Sequence, residues 1–291
     1  MSDTATNSTS ILKLVNKTLE LPTMPEVLTR LSEVIASEDS SADDVAKVIA
    51  TDPAVSTNVL RIVNSAYYGL QVRVSSIGLA VSIMGFSMTK KVALKAAVFS
   101  VFGKSRAQVR HFDPVGFWKH SVFTAVAARA LGMESPRFGA SHAEDLYICG
   151  LLHDIGKLIL VEKATAEYER VLAEAARSGR PEVEVENEFL GFTHADVGSV
   201  LGVKWFLPED LTIAIRYHHA PDQDPFHQSL SSLIHLADHL AWANGFPSTQ
   251  GTTAPQLRHE VFDEVGLDPR QVEDLLPQIR EDFESTGQPW V

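Results

Sequence analysis

The chemistry-bearing residues gather in the second half of the 291-residue chain. His120, His153, His194, His218 and His219 each fall on or beside an expected helix, and so do Asp154 and Asp238. Imidazole nitrogen and carboxylate oxygen together suit first-row divalent metals. A carboxylate can bridge two ions, whereas a neutral imidazole serves one. The pair His153-Asp154 lies in Gly150-Leu-Leu-His-Asp-Ile-Gly-Lys157. Neighbouring residues on a helix point about 100° apart, but near a helix end such a pair can converge on one cation or on two adjacent ones. Gly156 allows a turn or the close approach of a ligand. Lys157 puts a cation beside the pair, suited to a phosphate oxygen.

The chain has 11 histidines, and the other six, His111, His142, His227, His235, His239 and His259, carry no such pattern. His235 and His239 flank Asp238 but belong to other faces of its helix. The single cysteine, Cys149, excludes an internal disulfide framework and a Cys-rich zinc site; packing as a small apolar residue is expected of it. No P-loop, nucleophile elbow or CxxC pair is present.

Helices must position these residues. Apolar residues recur at 3–4 residue spacing after Thr23-Met24-Pro25, after the Ser41-Ala42-Asp43-Asp44 cap, after Asp52-Pro53 and after Ser75-Ser76, where Gly85 can stop the helix before a longer one runs to about Phe102. Further helices are expected near 115–131, 143–152, 164–178, 183–190, 195–205, 209–218, 230–243, 257–265 and 270–285. With no alternating strand and no hairpin signal, the fold class is all-α. The expected organisation is a flexible segment 1–19, a helical lobe 20–110, a second lobe 111–243 with the candidate ligands, and a loop with helices at 244–291 packing on that second lobe. Gly103–Pro114 reads as the connector.

Composition narrows the function. With 25 Lys+Arg against 37 Asp+Glu the formal charge is −12, so no nucleic-acid partner is expected. A helix-turn-helix around Ser75–Phe102 would have only Lys90, Lys91 and Lys95 to offer, and three such lysines read as a solvated face. No apolar run reads as long enough to span a bilayer and the N-terminus does not read as a signal peptide, so no membrane partner and a cytoplasmic location are expected.

The order His…His-Asp…His…His-His…Asp matches the ligand order of the HD superfamily of metal-dependent phosphohydrolases. More specifically the sequence resembles the HDOD domain, an HD-related output domain of bacterial signalling proteins. The resemblance rests on Leu21-Pro-Thr-Met-Pro-Glu-Val-Leu, Asp52-Pro-Ala-Val, Ile62-Val-Asn-Ser-Ala-Tyr-Tyr-Gly69, Val74-Ser-Ser-Ile-Gly-Leu-Ala-Val, Phe117-Trp-Lys-His-Ser, Gly150–Lys157 and Tyr217-His-His. It implies a two-lobed helical fold with an HD-type core. It also implies one or two divalent transition-metal ions, iron or manganese favoured. His120, His153, Asp154 and Asp238 match a first metal set, and His194 and His218 a second that shares Asp154, with His219 a further ligand. In an enzyme of this type Asp154 and Lys157 would be catalytic. Many HDOD members have lost these ligands; this chain keeps them. It lacks the Gly-Tyr-Pro that follows the His-His pair in the related HD-GYP phosphodiesterases, and Gly116 stands where some of them place a third-metal Glu. The resemblance therefore implies a signal-transduction output protein with signalling proteins or a small phosphorylated ligand as partners. Its alternative is a metal-dependent phosphohydrolase acting on a nucleotide or cyclic nucleotide. A di-iron oxygenase of the wider superfamily has no independent signal here. Oligomeric state is not readable.

Overall fold

A computed structural model describes residues 15, 19–37, 39–65, 68–71, 73–102 and 109–286. The N-terminal segment before residue 15, Tyr67 at the expected end of one helix, and residues 103–108 of the expected connector lie outside these residues. The described chain is helical, as expected, with only an isolated bridge between Pro181 and Thr253 outside the helices. It divides into two compact units, residues 24–104 with 280–291, and residues 1–23 with 105–279. The described residues 280–286 thus group with the first unit, although the sequence places all of 244–291 on the second. An amphipathic helix declares its apolar stripe but not its docking partner.

In the first unit, α1 (Glu26–Ala36), α2 (Ala42–Ala50), α3 (Pro53–Val63) and α4 (Ile77–Phe102) enclose a core that includes Leu28, Leu31, Ile49, Val59, Val63 and Val92. Ser41 and Asp44 form a capping box on α2, and Asp52 caps α3 by accepting from the Ala54 and Val55 amides with Pro53 in the first turn. Gly85 (φ 76°, ψ 172°) breaks α4 where the sequence expects a stop, because only glycine adopts that backbone cheaply. At 26 residues, α4 is the one helix among the described residues long and apolar enough to cross a membrane, which amends the expectation that no run is. Ile77, Ala80, Val81, Val92, Ala93 and Ala96 of this broken helix lie in the core of its own unit. The lysines do not form one solvated face: Lys95 is buried and donates to the Tyr68 hydroxyl at 3.1 Å.

The second unit is built on α5 (Pro114–Glu134) and α6 (Ala143–Leu152), both buried on nearly every side. Asp113-Pro114 opens α5 as Asp52-Pro53 opens α3, with Asp113 accepting from the Val115 and Gly116 amides. Phe112, Phe117 and Trp118 pack as an aromatic cluster at its start. Then follow α7 (Ile155–Lys163), α8 (Thr165–Ser178), α9 (Glu182–Leu190), α10 (His194–Lys204), α11 (Glu209–Tyr217), α12 (Gln228–Ala243), α13 (Glu260–Val265) and α14 (Pro269–Ser285), the last belonging to this unit as far as Ile279. Helix α7 is absent from the sequence expectation, which treats His153-Asp154 as a helix end. In fact His153 and Asp154 form a two-residue joint between two helices, with Asp154 (φ −99°, ψ 9°) departing from helical backbone. Gly156 does permit a close approach, but to a helix rather than a ligand. A Cβ there would sit 1.9 Å from the His194 carbonyl oxygen and 2.8 Å from the Gly198 nitrogen, so α7 and α10 touch backbone to backbone.

Candidate metal centre

Five helices deliver the seven residues singled out in the sequence to one place inside the second unit. His120 comes from α5, His153 and Asp154 from the α6–α7 joint, and His194 from the first turn of α10. His218 and His219 follow α11, and Asp238 lies on α12. Six of them are at most 2% exposed; His219 is part-buried.

The ring orientations follow from what the Nδ1 atoms touch. Nδ1 of His120 lies 2.8 Å from the Phe246 carbonyl, that of His153 2.7 Å from Gly150, and that of His218 2.6 Å from Ile215. A carbonyl only accepts, so each Nδ1 carries a proton, and each ring turns its Nε2 inward. His194 Nδ1 instead meets Glu186 Oε2 at 2.7 Å. Acceptors on the outer nitrogen that fix the tautomer are what metal-ligating histidines require.

The inward atoms form two groups. His120, His153 and Asp238 make one; Asp154, His194, His218 and His219 make the other. In the first, the His120 and His153 Nε2 atoms are 3.1 Å apart, and Asp238 Oδ1 lies 3.2 and 3.8 Å from them. In the second, His194 and His219 Nε2 are 2.9 Å apart. Asp154 divides its oxygens between the groups: Oδ2 lies 3.6 Å from His120 and 3.5 Å from His153, while Oδ1 lies 3.0 Å from His194 and 3.6 Å from His218. Ligand atoms about 2.1 Å from a shared ion stand roughly 3–3.5 Å apart, the spacing seen in both groups. Asp154 Oδ1, Asp238 Oδ1 and His218 Nε2 are buried without a hydrogen-bond partner. Such atoms are costly to bury, and a cation answers all three. The donor set therefore fits one or two metal ions.

Lys157 faces inward as well. Its Nζ lies 2.8 Å from Asp154 Oδ2, 3.4 Å from Glu182 Oε2 and 2.8 Å from Ser248 Oγ, and the side chain is 4% exposed. Burial would raise the Asp154 carboxyl, but Lys157 and the neighbouring His153 and His194 rings hold it well below the ordinary carboxylate range. Burial also opposes the charge on Lys157, which Asp154 and Glu182 outweigh, so its pKa is raised. Gly116 sits one turn before His120 and serves the Asp113 cap.

The sequence misses several supporting residues. Glu186 accepts from both the His194 backbone amide (2.8 Å) and its ring. Glu182 accepts from Tyr168 and Thr249. The 244–255 loop supplies Phe246, Ser248 and Thr249 to the centre. His235, one of the histidines without a pattern, is buried with Nδ1 2.7 Å from the His218 carbonyl, and so braces the segment carrying the His pair. Cys149 is buried, and burial pushes its thiol up.

Two protonation effects of opposite sign follow. Burial depresses His153 to about 3. Below the ordinary 6.5 the unfolded chain takes up a proton that the folded one refuses, so stability falls from about pH 6.5 toward 3. Burial also disfavours charge on His194, but Glu186 and Asp154 outweigh it and raise that ring to about 10. Its contribution is complete below 6.5 and is lost as pH rises toward 10. Metal-free protein is expected to be most stable near neutrality in urea titrations. Loading with Mn(II) is expected to remove the alkaline limb, because a ligating His194 no longer carries the Nε2 proton. A second expectation concerns Glu186→Gln, which keeps a carbonyl acceptor but loses the charge. It should weaken binding at the His194 group about 10- to 100-fold, the usual effect of losing such a partner, while the His120–His153 group keeps its affinity. Competition against a chelator, read at each step of loading, checks it.

Comparison with known proteins bears on the family and the fold. The profile of the HDOD domain matches residues 21–221. A protein of Treponema pallidum without an assigned function is 28% identical over 205 residues, 69% of this chain and 38% of that one, so the chain spans well under half of that curated relative. Among solved structures, an HDOD domain protein of unknown function from Geobacter sulfurreducens superposes with a TM-score of 0.77 at 20% identity, over 96% of this chain and 98% of the other. A candidate phosphohydrolase from Shewanella amazonensis gives 0.73 at 23% identity, over 97% and 98%. A candidate signal transduction protein from Marinobacter aquaeolei gives 0.75 at 23%, over 96% of this chain and 64% of that one. At these identities the likeness is one of fold.

Proposed function

This chain belongs to the HDOD family, and from that premise we propose that it is a signal-transduction regulatory protein built around a dinuclear transition-metal centre, with iron or manganese bound. The observation that carries the reading is Asp154, whose two oxygens turn to two separate histidine groups. One ion would take His120, His153, Asp238 and one oxygen of Asp154. The other would take His194, His218, His219 and the second oxygen. Mixed imidazole and carboxylate ligation suits either metal.

Enclosure favours a structural or sensory role over turnover: six of the seven candidate ligands are at most 2% exposed. Lys157 is spent on neutralising Asp154 and Glu182 rather than presented to a substrate. The helical lobe at 24–104 would then carry the surface for signalling partners. It contributes none of the candidate ligands, yet holds three of the sequence segments that carry the family likeness and most of a fourth.

The second reading is a metal-dependent phosphohydrolase acting on a nucleotide or cyclic nucleotide. It is favoured by the part-buried His219, which is the least enclosed ligand of the set. Two adjacent ions supply a nucleophilic water and a clamp for the phosphoryl oxygens when bound. The chain's own part would be to hold Asp154 ionised through Lys157 and to orient the rings through their Nδ1 acceptors. Phosphodiester and nucleotide panels run on Fe(II)- and Mn(II)-loaded protein separate the two readings. No turnover is expected if the regulatory reading is right; turnover lost in His153→Ala would replace it with the enzyme reading.

A further inference from the structure

A cleft of about 880 Å³ opens beside the centre, within the second unit. That is the size of a small-molecule site. His219 lines it and is the one member of the histidine–aspartate set that does. Ser232 of α12 lines it too. This serine is 1% exposed, and its Oγ has no hydrogen-bond partner among the described residues. A buried hydroxyl without a partner, on the wall of a cavity, is a donor waiting for an acceptor.

The walls carry the opposite requirement. Arg258 pairs with Asp222, and Arg180 pairs with Glu184, so those charges cancel. Glu260 and Glu264 of α13 also line the cleft. No ion pair to either is found among the described residues, which leaves the cleft with excess negative charge.

We propose that this cleft binds a small zwitterion: an oxyanion head toward His219 and Ser232, and an ammonium tail toward Glu260 and Glu264. The inference rests on the metal reading above, because bound ions behind His219 supply the positive field that the head requires. The carboxylates then select against ligands with further negative charge, since like charges across a binding site are rejected more strongly than matched ones are held. This would give a protein that takes its input directly from a small molecule a defined place to do so. It also argues against multiply charged nucleotides as occupants.

The test is calorimetric titration of the full chain, metal content measured first, with three probes: phosphoethanolamine, glycerol phosphate and ethanolamine. Wild type is expected to bind phosphoethanolamine at least tenfold more tightly than either single-ended probe. The double variant Glu260→Gln/Glu264→Gln, at one exposed and one half-buried position, is expected to bring phosphoethanolamine and glycerol phosphate to within about twofold. Ser232→Ala is expected to weaken both phosphates. Equal or tighter binding of glycerol phosphate by wild type, a preference unchanged in the double variant, or no binding of any probe to loaded protein overturns the proposal and leaves the metal reading standing. Protein that takes up no metal overturns both.

Discussion

Asp154→Ala is expected to lose both ions at once, taking bound metal from about two per chain to near zero, whereas His219→Ala should retain the ion of the His120–His153 group. The asymmetry follows from geometry. Asp154 is the one residue of the seven whose two oxygens face inward Nε2 atoms of different groups; the second oxygen of Asp238 meets only the Nδ1 of His219, at 3.9 Å. Removing its carboxylate also strands Lys157, which is 4% exposed and keeps only Glu182 as an acidic partner. Breaking a buried charge pair by deleting one member typically costs about 3–5 kcal/mol, so Asp154→Ala should also lose stability on that scale. Asp154→Asn keeps the shape and a carbonyl oxygen but loses the charge. It should fold better than the alanine variant and still hold well under one ion per chain. Elemental analysis beside urea denaturation reads both effects. Retention of one full ion by Asp154→Asn would show that the two groups do not depend on a shared carboxylate.

The second large effect is expected at Gly156, a position that supplies no ligand to either group. Its Cβ would lie 1.9 Å from the backbone oxygen of His194 and 2.8 Å from the Gly198 nitrogen. Backbone cannot rotate aside as a side chain can, so Gly156→Ala must separate α7 from α10. Overpacking of this kind costs about 1–3 kcal/mol and occasionally more; contact with backbone puts this site at the upper end. For a unit of this size about 3 kcal/mol lowers Tm by roughly 6–12 °C. Because His194 opens α10, the shift also displaces Nε2 from its 3.0 Å approach to Asp154 Oδ1. Metal at the second group should therefore weaken in Gly156→Ala while metal at the first is spared. Gly78→Ala, where a Cβ meets nothing within 4 Å, is the matched control in another helix and should leave both properties unchanged.

These two positions also mark what the sequence could and could not tell. Helix starts were legible because capping is local: Ser41 with Asp44 and Asp52 with Pro53 declare themselves within four residues. The break at Gly85 was legible for the same reason. The ligand candidates were legible as an ordered set of residue types, and the fold brings all seven together. Helix α7 was not legible, because the doublet and Gly156 looked like a terminus. The reason for Gly156 lies about forty residues away in α10. Support for the rings was equally hidden. Three of the five histidines are oriented by backbone carbonyls, which any residue type supplies. Glu186 sits in an acidic helix that resembles a solvated face, and only the turn at Gly191 folds it back onto His194. Its one sequence signal is a glutamate two helical turns before a candidate ligand, across a glycine.

The account stands on the two histidine groups being two metal positions. Elemental analysis by mass spectrometry, on protein purified without chelator and again after anaerobic reconstitution with Fe(II) or Mn(II), tests it most directly. The account predicts close to two ions per chain, falling to near zero in Asp154→Ala. A reconstituted protein that is folded by circular dichroism yet holds no metal, or holds as much in Asp154→Ala as in wild type, would contradict it.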